Sequence, residues 1–279
     1  MDAEQTTREM EKLQAEIVKI QAKFAADPSE ENLLKMQQEM AAISAKMVEL
    51  SMQFSSDDDE DDEGDEEEIE EFIRTHPAPP GKEKYLPIGA IIVSMNYEPW
   101  QTFGLMADDD QWEGMLAGAW GINDAKEGKE MLASLLEGRH YAVYGEDFRN
   151  FKAGKPHGLD KETVEAYEYT MEGIKEYAPE LFSVAKKCDN ILAWDLERLG
   201  NLARVFRKLG WLSDSEMFEW LDKAAKRIKK EFPSWNEYAV SFLVGRAIAY
   251  DSDHDVILFA MLVLEEGKDL MKAHPTGSL

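Results

Sequence analysis

The sequence predicts a mainly α-helical protein: a helical main domain with at most a few short strands, preceded by an N-terminal helical hairpin or coiled coil. Apolar residues recur at steps of three and four along most of the chain, which places them on single faces of helices. Helix-start signals punctuate those stretches, and no unit of 20 to 50 residues repeats, so a solenoid is not expected. At 279 residues with 44% hydrophobic content the chain can bury a substantial core. Its uneven composition favours one main domain with appendages over a uniform globule.

The first element is the hairpin, residues 1–54. Met10, Leu13, Ile17, Ile20 and Phe24 step by three and four, and so do Leu33, Met36, Met40, Ile43, Met47, Leu50 and Phe54. Between the two stripes, Asp27 is placed as an N-cap, Pro28 as the first helical residue and Glu30 as the third, which starts the second helix. Two isolated helices of this size are marginal, so the seams are expected to close on each other, on a second copy or on a protein partner through residues 10–54. Residues 55–84 then read as an acidic and Pro-rich linker. Residues 57–71 hold 13 Asp or Glu and no base, half of the net charge of −26, and a run that repels itself resists compaction.

The main domain is assigned to residues 85–279. A short strand is expected over Ile88 to Met95. Helices follow near 110–119, 124–138, 160–177, 179–209, 213–232, 234–250 and 254–272. Residues 139–159, with Gly, Pro and aromatic residues in no clear helical period, read as a loop or short strand. Gly210 is placed as a helix terminator. Ser213 with Glu216 forms an S-x-x-E capping box, and Ser234 with Glu237 forms another.

Two charges fall where a core should be. Asp195, Leu199, Leu202, Phe206 and Leu209 share one helical face, as do Trp235, Ala239, Phe242, Arg246 and Ala249. The expectation is a polar centre joining the two helices, with Arg198 three residues beyond Asp195 and able to interact along the same helix. Arg204 and Arg207 read as surface or helix-end charges. His140 is the best isolated candidate for an acid, base or metal ligand, because His76, His157, His254 and His274 lie in peripheral segments or near a helix start. Asp251, Asp253 and Asp255 mimic the opening of a calcium loop, but Val256 and Leu262 stand where that loop needs Gly and a bidentate acid.

Residues 119–122 (AWGI), 135–140 (LLEGRH), 193–216 (AWDLERLGNLARVFRKLGWLSDSE) and 233–250 (PSWNEYAVSFLVGRAIAY) resemble, in order and spacing, the bacterial domain-of-unknown-function family 1266. The resemblance covers roughly 105–250 and implies a predominantly helical bacterial domain, without implying an activity. Within these motifs Trp120, Gly121, Trp194, Gly210, Trp235 and Gly245 read as architecture, the rings filling junctions and the glycines allowing tight ones. The segment after Tyr250 departs from the Trp-rich ending of some relatives.

Function is narrowed more by exclusion than by motif. No HExxH, GxSxG or P-loop pattern is present, so neither cofactor nor metal is expected. The charge balance argues against direct nucleic-acid binding, and no apolar run approaches a membrane span. The start MDAEQTTREMEKLQ has no basic-then-apolar signal segment, which points to the cytoplasm. Cys188 is the single cysteine and reads as a structural thiol. The leading reading is an intracellular interaction or scaffold protein that associates through its N-terminal hairpin. The alternatives are an acidic inhibitory or immunity-like protein that binds a basic partner, and an enzyme with a pocket around Asp195, Arg198, Arg246 and His140.

Overall fold

The computed structural model describes Lys12 and residues 62–279, with the backbone alone at 62–65. The hairpin expected over residues 1–54 lies outside the described residues. The chain divides into two units, Met1–Glu70 and Glu71–Leu279. Among the described residues there is no strand, and no helix is long and apolar enough to cross a membrane.

Helix α1 (Asp62–Thr75) takes in the end of the acidic run, where an irregular linker was expected. Glu is a good helix former, and Arg74 in the last turn pairs with Glu71. The chain from Phe72 onward packs with the main body: the Phe72 ring closes on Gly104, and Thr102 donates its hydroxyl to the His76 carbonyl. A 3₁₀ turn (Glu83–Tyr85) leads into α2 (Ala90–Met95), which replaces the short strand expected at 88–95. A short, mostly apolar run fits either element, and an N-terminal cap from another helix, described below, decides for the helix.

Helix α3 (Asp109–Met115) continues into a π turn (Leu116–Trp120), and α4 (Ala125–Glu137) starts at Asp124, whose carboxylate accepts the Lys126 and Glu127 N–H groups at 2.9 Å. Helix α5 (Arg139–Lys152) follows directly. It corrects the loop or strand expected over 139–159. Its period is carried by aromatic residues, Tyr141, Tyr144, Phe148 and Phe151, and its cap is not local. Helix α6 (Lys161–Tyr177) leads to the short α7 (Phe182–Ala185) and then α8 (Ala193–Lys208). The single helix expected over 179–209 is therefore broken, with the Asn190 side chain accepting the Leu192 N–H at 2.9 Å in the break. Helices α9 (Asp214–Glu231) and α10 (Trp235–Ala249) begin at Ser213 and Ser234, each accepting the N–H of the glutamate three residues on. Helices α11 (Asp255–Glu266) and α12 (Lys268–Ala273) and a 3₁₀ turn (Thr276–Ser278) close the chain.

Helix α8 is the axis of this body. It packs against α2, α4, α5, α9 and α10, and 13 of its 16 residues are buried. A helix without a solvent face must satisfy its charged residues internally. Helix α10 is the second central element, lying against α5, α6, α7, α8 and α11. At its crossing with α8 a Cβ on Gly245 would stand 2.8 Å from the Ile191 carbonyl oxygen and from Trp194 Cβ, so glycine sets the approach.

Candidate functional site

Helix α8 uses its buried charges to terminate other segments. Asp195, fully buried, accepts the His140 N–H at 3.0 Å and the Tyr141 N–H at 3.0 Å, capping the start of α5 from another helix. The α4–α5 junction can come this close because Gly138 stands at φ 88°, and a Cβ there would meet Leu192 at 2.9 Å. His140 Nδ1 lies 2.7 Å from Asp195 Oδ1, which assigns the ring proton to Nδ1.

Glu197 and Arg204 do the same for chain that the sequence reading left aside. Glu197 accepts the N–H of Gly89 at 2.9 Å and of Ile91 at 3.0 Å, capping α2. Burial pushes its carboxyl up to about 7 against those hydrogen bonds. Arg204 was expected at the surface but is fully buried, because α8 has no solvent face at that position. It donates to the carbonyls of Leu86 at 2.6 Å and Thr102 at 3.1 Å, and burial lowers its guanidinium to about 10. The Tyr238 hydroxyl lies near Glu197 without a hydrogen bond of ordinary geometry, and burial with that negative neighbour keeps the phenol protonated. Arg207 pairs with Asp214 at 2.7 Å, in keeping with a helix-end charge.

Arg198 is the member of the group that is only partly buried. Its guanidinium carbon lies 4.1 Å from the Trp120 ring centroid and 4.9 Å from that of Trp194. Its Nη1 is 3.1 and 3.2 Å from the two ring nitrogens of His140. An atom that near both nitrogens cannot lie in the ring plane without striking ring carbon, so Nη1 sits over the imidazole face. The contact is therefore stacking, and neither lone pair of the ring is used by it. Arg198 is thus held by three rings. Burial lowers its guanidinium to about 10, the Asp195 charge opposing and Arg139 adding to the shift, so it is charged at neutral pH. Among the described residues, no carboxylate lies within ion-pair distance of Arg139, Arg198 or Arg246.

Arg246 does not join Asp195. It donates to the Asp251 carbonyl at 2.7 Å and lies over the Tyr250 ring, which stacks on Trp194. The α10 stripe points it inward at Cβ, but a side chain this long can carry its head out past the helix end. The structure therefore brings together Asp195, His140, Arg198, Trp120 and Trp194, with Arg246 one ring away. Trp235 is elsewhere, its indole N–H donating to the His274 carbonyl at 2.9 Å. Gly121 and Gly210 end their helices at φ 64° and 70°.

The family "Protein of unknown function (DUF1266)" matches residues 115–273. The chain belongs to the DUF1266 family. The match contains every residue of the Asp195 and Arg198 group and runs through α11 and α12, beyond the stretch of resemblance read from the motifs. The chain is also similar to YbeR, an uncharacterised protein of Escherichia coli (strain K12), at 25% identity over 161 residues, 55% of this chain and 66% of that protein. The chain thus spans just under two thirds of this relative's length. No solved structure matches.

Among the described residues no group of three His, Cys, Asp or Glu could hold an ion. Asp253 instead accepts the Asp255 N–H at 3.0 Å at the start of α11. Burial pushes the Cys188 thiol up to about 11, which makes it a poor nucleophile.

Proposed function

We propose that this DUF1266 protein is a bacterial cytoplasmic interaction protein whose main domain recognises an oxyanion, a carboxylate or phosphate group on its partner, through Arg198. The observation that carries the reading is a guanidinium gripped by Trp120, Trp194 and His140 with no carboxylate paired to it. Rings fix the orientation of a guanidinium while leaving its N–H fork for two oxygens of an oxyanion. Asp195 does not compete, since both its oxygens are engaged at the start of α5. In this reading the amphipathic segments of residues 10–54 supply association, and the acidic run before the domain acts as a spacer.

Trp120 and Trp194 report on the site. Titration with inorganic phosphate or acetate is expected to change tryptophan fluorescence saturably, and Arg198→Gln is expected to remove the change while the fold, followed by circular dichroism, is kept. An equal response in wild type and Arg198→Gln rejects the reading.

A catalytic reading rests on one observation, the 2.7 Å Asp195–His140 contact, which orients His140 so that Nε2 is its free base position. It is favoured over binding only if His140→Gln abolishes a turnover that Arg198→Gln leaves in place.

A further inference from the structure

A second set of cations lies on another face of the domain, in a groove of about 430 Å³ between the 3₁₀ turn Glu83–Tyr85 and α9. Lys82, Tyr85, Phe218, Glu219, Asp222, Lys223 and Lys226 line it, with Ser215 at one end. The Lys82 ammonium stands 4.8 Å from the Phe218 ring centroid and 5.7 Å from that of Tyr85. Lys84 lies 4.9 Å from the Tyr85 ring centroid. Among the described residues no carboxylate is within ion-pair distance of Lys82, Lys84 or Lys223. Of the two acids that line the groove, Asp222 is already used: it accepts the Tyr85 hydroxyl at 2.9 Å and pairs with Lys226 at 2.6 Å, while Glu219 is exposed. In a chain of net charge −26, a groove lined by three lysines against two acids, with Lys84 beside Tyr85, is a local reversal of sign.

We infer that this groove binds an acidic peptide segment. A ring-seated ammonium keeps N–H donors on the side away from the ring, where they can reach carboxylates without giving up the cation–π contact. A nucleotide would have to stack its base on the same ring faces and displace Lys82 or Lys84 to do so. The groove is also elongated. Phe218, Asp222 and Lys226 mark successive turns of α9, so it runs about 12 Å along the helix. An extended peptide places same-side carboxylates about 7 Å apart, so a short acidic strand can meet cations at both ends.

The test uses the full chain and a fluorescein-labelled octa-glutamate peptide followed by anisotropy. Saturable one-to-one binding is expected, weakening as salt is raised from about 0.05 to about 0.3 M. The pair Lys82→Glu with Lys223→Glu is expected to weaken it about tenfold or more, and the milder pair Lys82→Gln with Lys223→Gln about threefold, on the scale of exposed ion pairs. The losses caused by the Lys82 and Lys223 substitutions are expected to persist in an Arg198→Gln background, which separates this site from the oxyanion reading above. The proposal is overturned if no binding is seen or if the charge-reversed pair, folded by circular dichroism, binds as the wild type does. Displacement of the peptide by equimolar ATP or inorganic phosphate also overturns it.

Discussion

Single residues in this domain are decided by what a helix without a solvent face requires. Asp195, Glu197 and Arg204 are ordinary surface residue types, yet each is fully buried because each completes hydrogen bonds that another segment cannot make for itself. Asp195→Asn is expected to cost about 2–4 kcal/mol in urea denaturation, since the amide puts donors against the His140 and Tyr141 N–H groups. Arg246→Gln is expected to cost under about 1 kcal/mol, because its head lies outside on a carbonyl and a ring. Equal costs for the two would return Arg246 to the centre with Asp195. The inward side of Asp195 was legible from its stripe, and so was its need for partners. The destination of Arg246 was not, because periodicity places a Cβ and says nothing about where four further bonds lead. Arg204 was misread for a related reason. Burial on every side of α8 is a property of its neighbours, and a stripe analysis assumes that one face stays wet.

At the scale of elements, local punctuation was legible wherever the cap is local. Asp124, Ser213 and Ser234 mark their helices in the sequence. Helices α2 and α5 were missed because their caps, Glu197 and Asp195, lie more than 50 residues away. The packing of α2 on α8 is close enough that a Cβ on Gly200 would stand 2.5 Å from the Ile88 carbonyl oxygen. Gly200→Ala is therefore expected to destabilise the domain by more than about 2 kcal/mol in chemical denaturation, as overpacking against backbone has no cheap relief. Glu197 adds a pH dependence. Burial raises its carboxyl from 4.5 to about 7, so the folded state holds the proton more tightly than the unfolded chain. Its contribution to stability is fully present below about pH 4.5 and is lost as pH rises through about 7. Thermal melts are expected to show Tm falling between pH 5 and 8, and Glu197→Gln is expected to flatten that slope. An unchanged slope in the variant would assign it to other groups.

The whole molecule joins a DUF1266 body to an N-terminal region whose seams are legible in the sequence as heptad-like stripes. Removing residues 1–54 is expected to lower the assembled mass by light scattering while leaving the melting of the main domain unchanged, and an unchanged mass would reject association through that region. The body itself carries the recognition proposed for the protein, and the claim that holds the account together is that the ring-held Arg198 binds an oxyanion. The most direct measurement is the side-chain Nε–Hε resonance of Arg198, assigned by its loss in Arg198→Gln and followed by NMR during titration with inorganic phosphate. The account predicts a saturable shift of that resonance, larger than those of Arg139 and Arg246. A resonance that stays in place while other arginines move would contradict it.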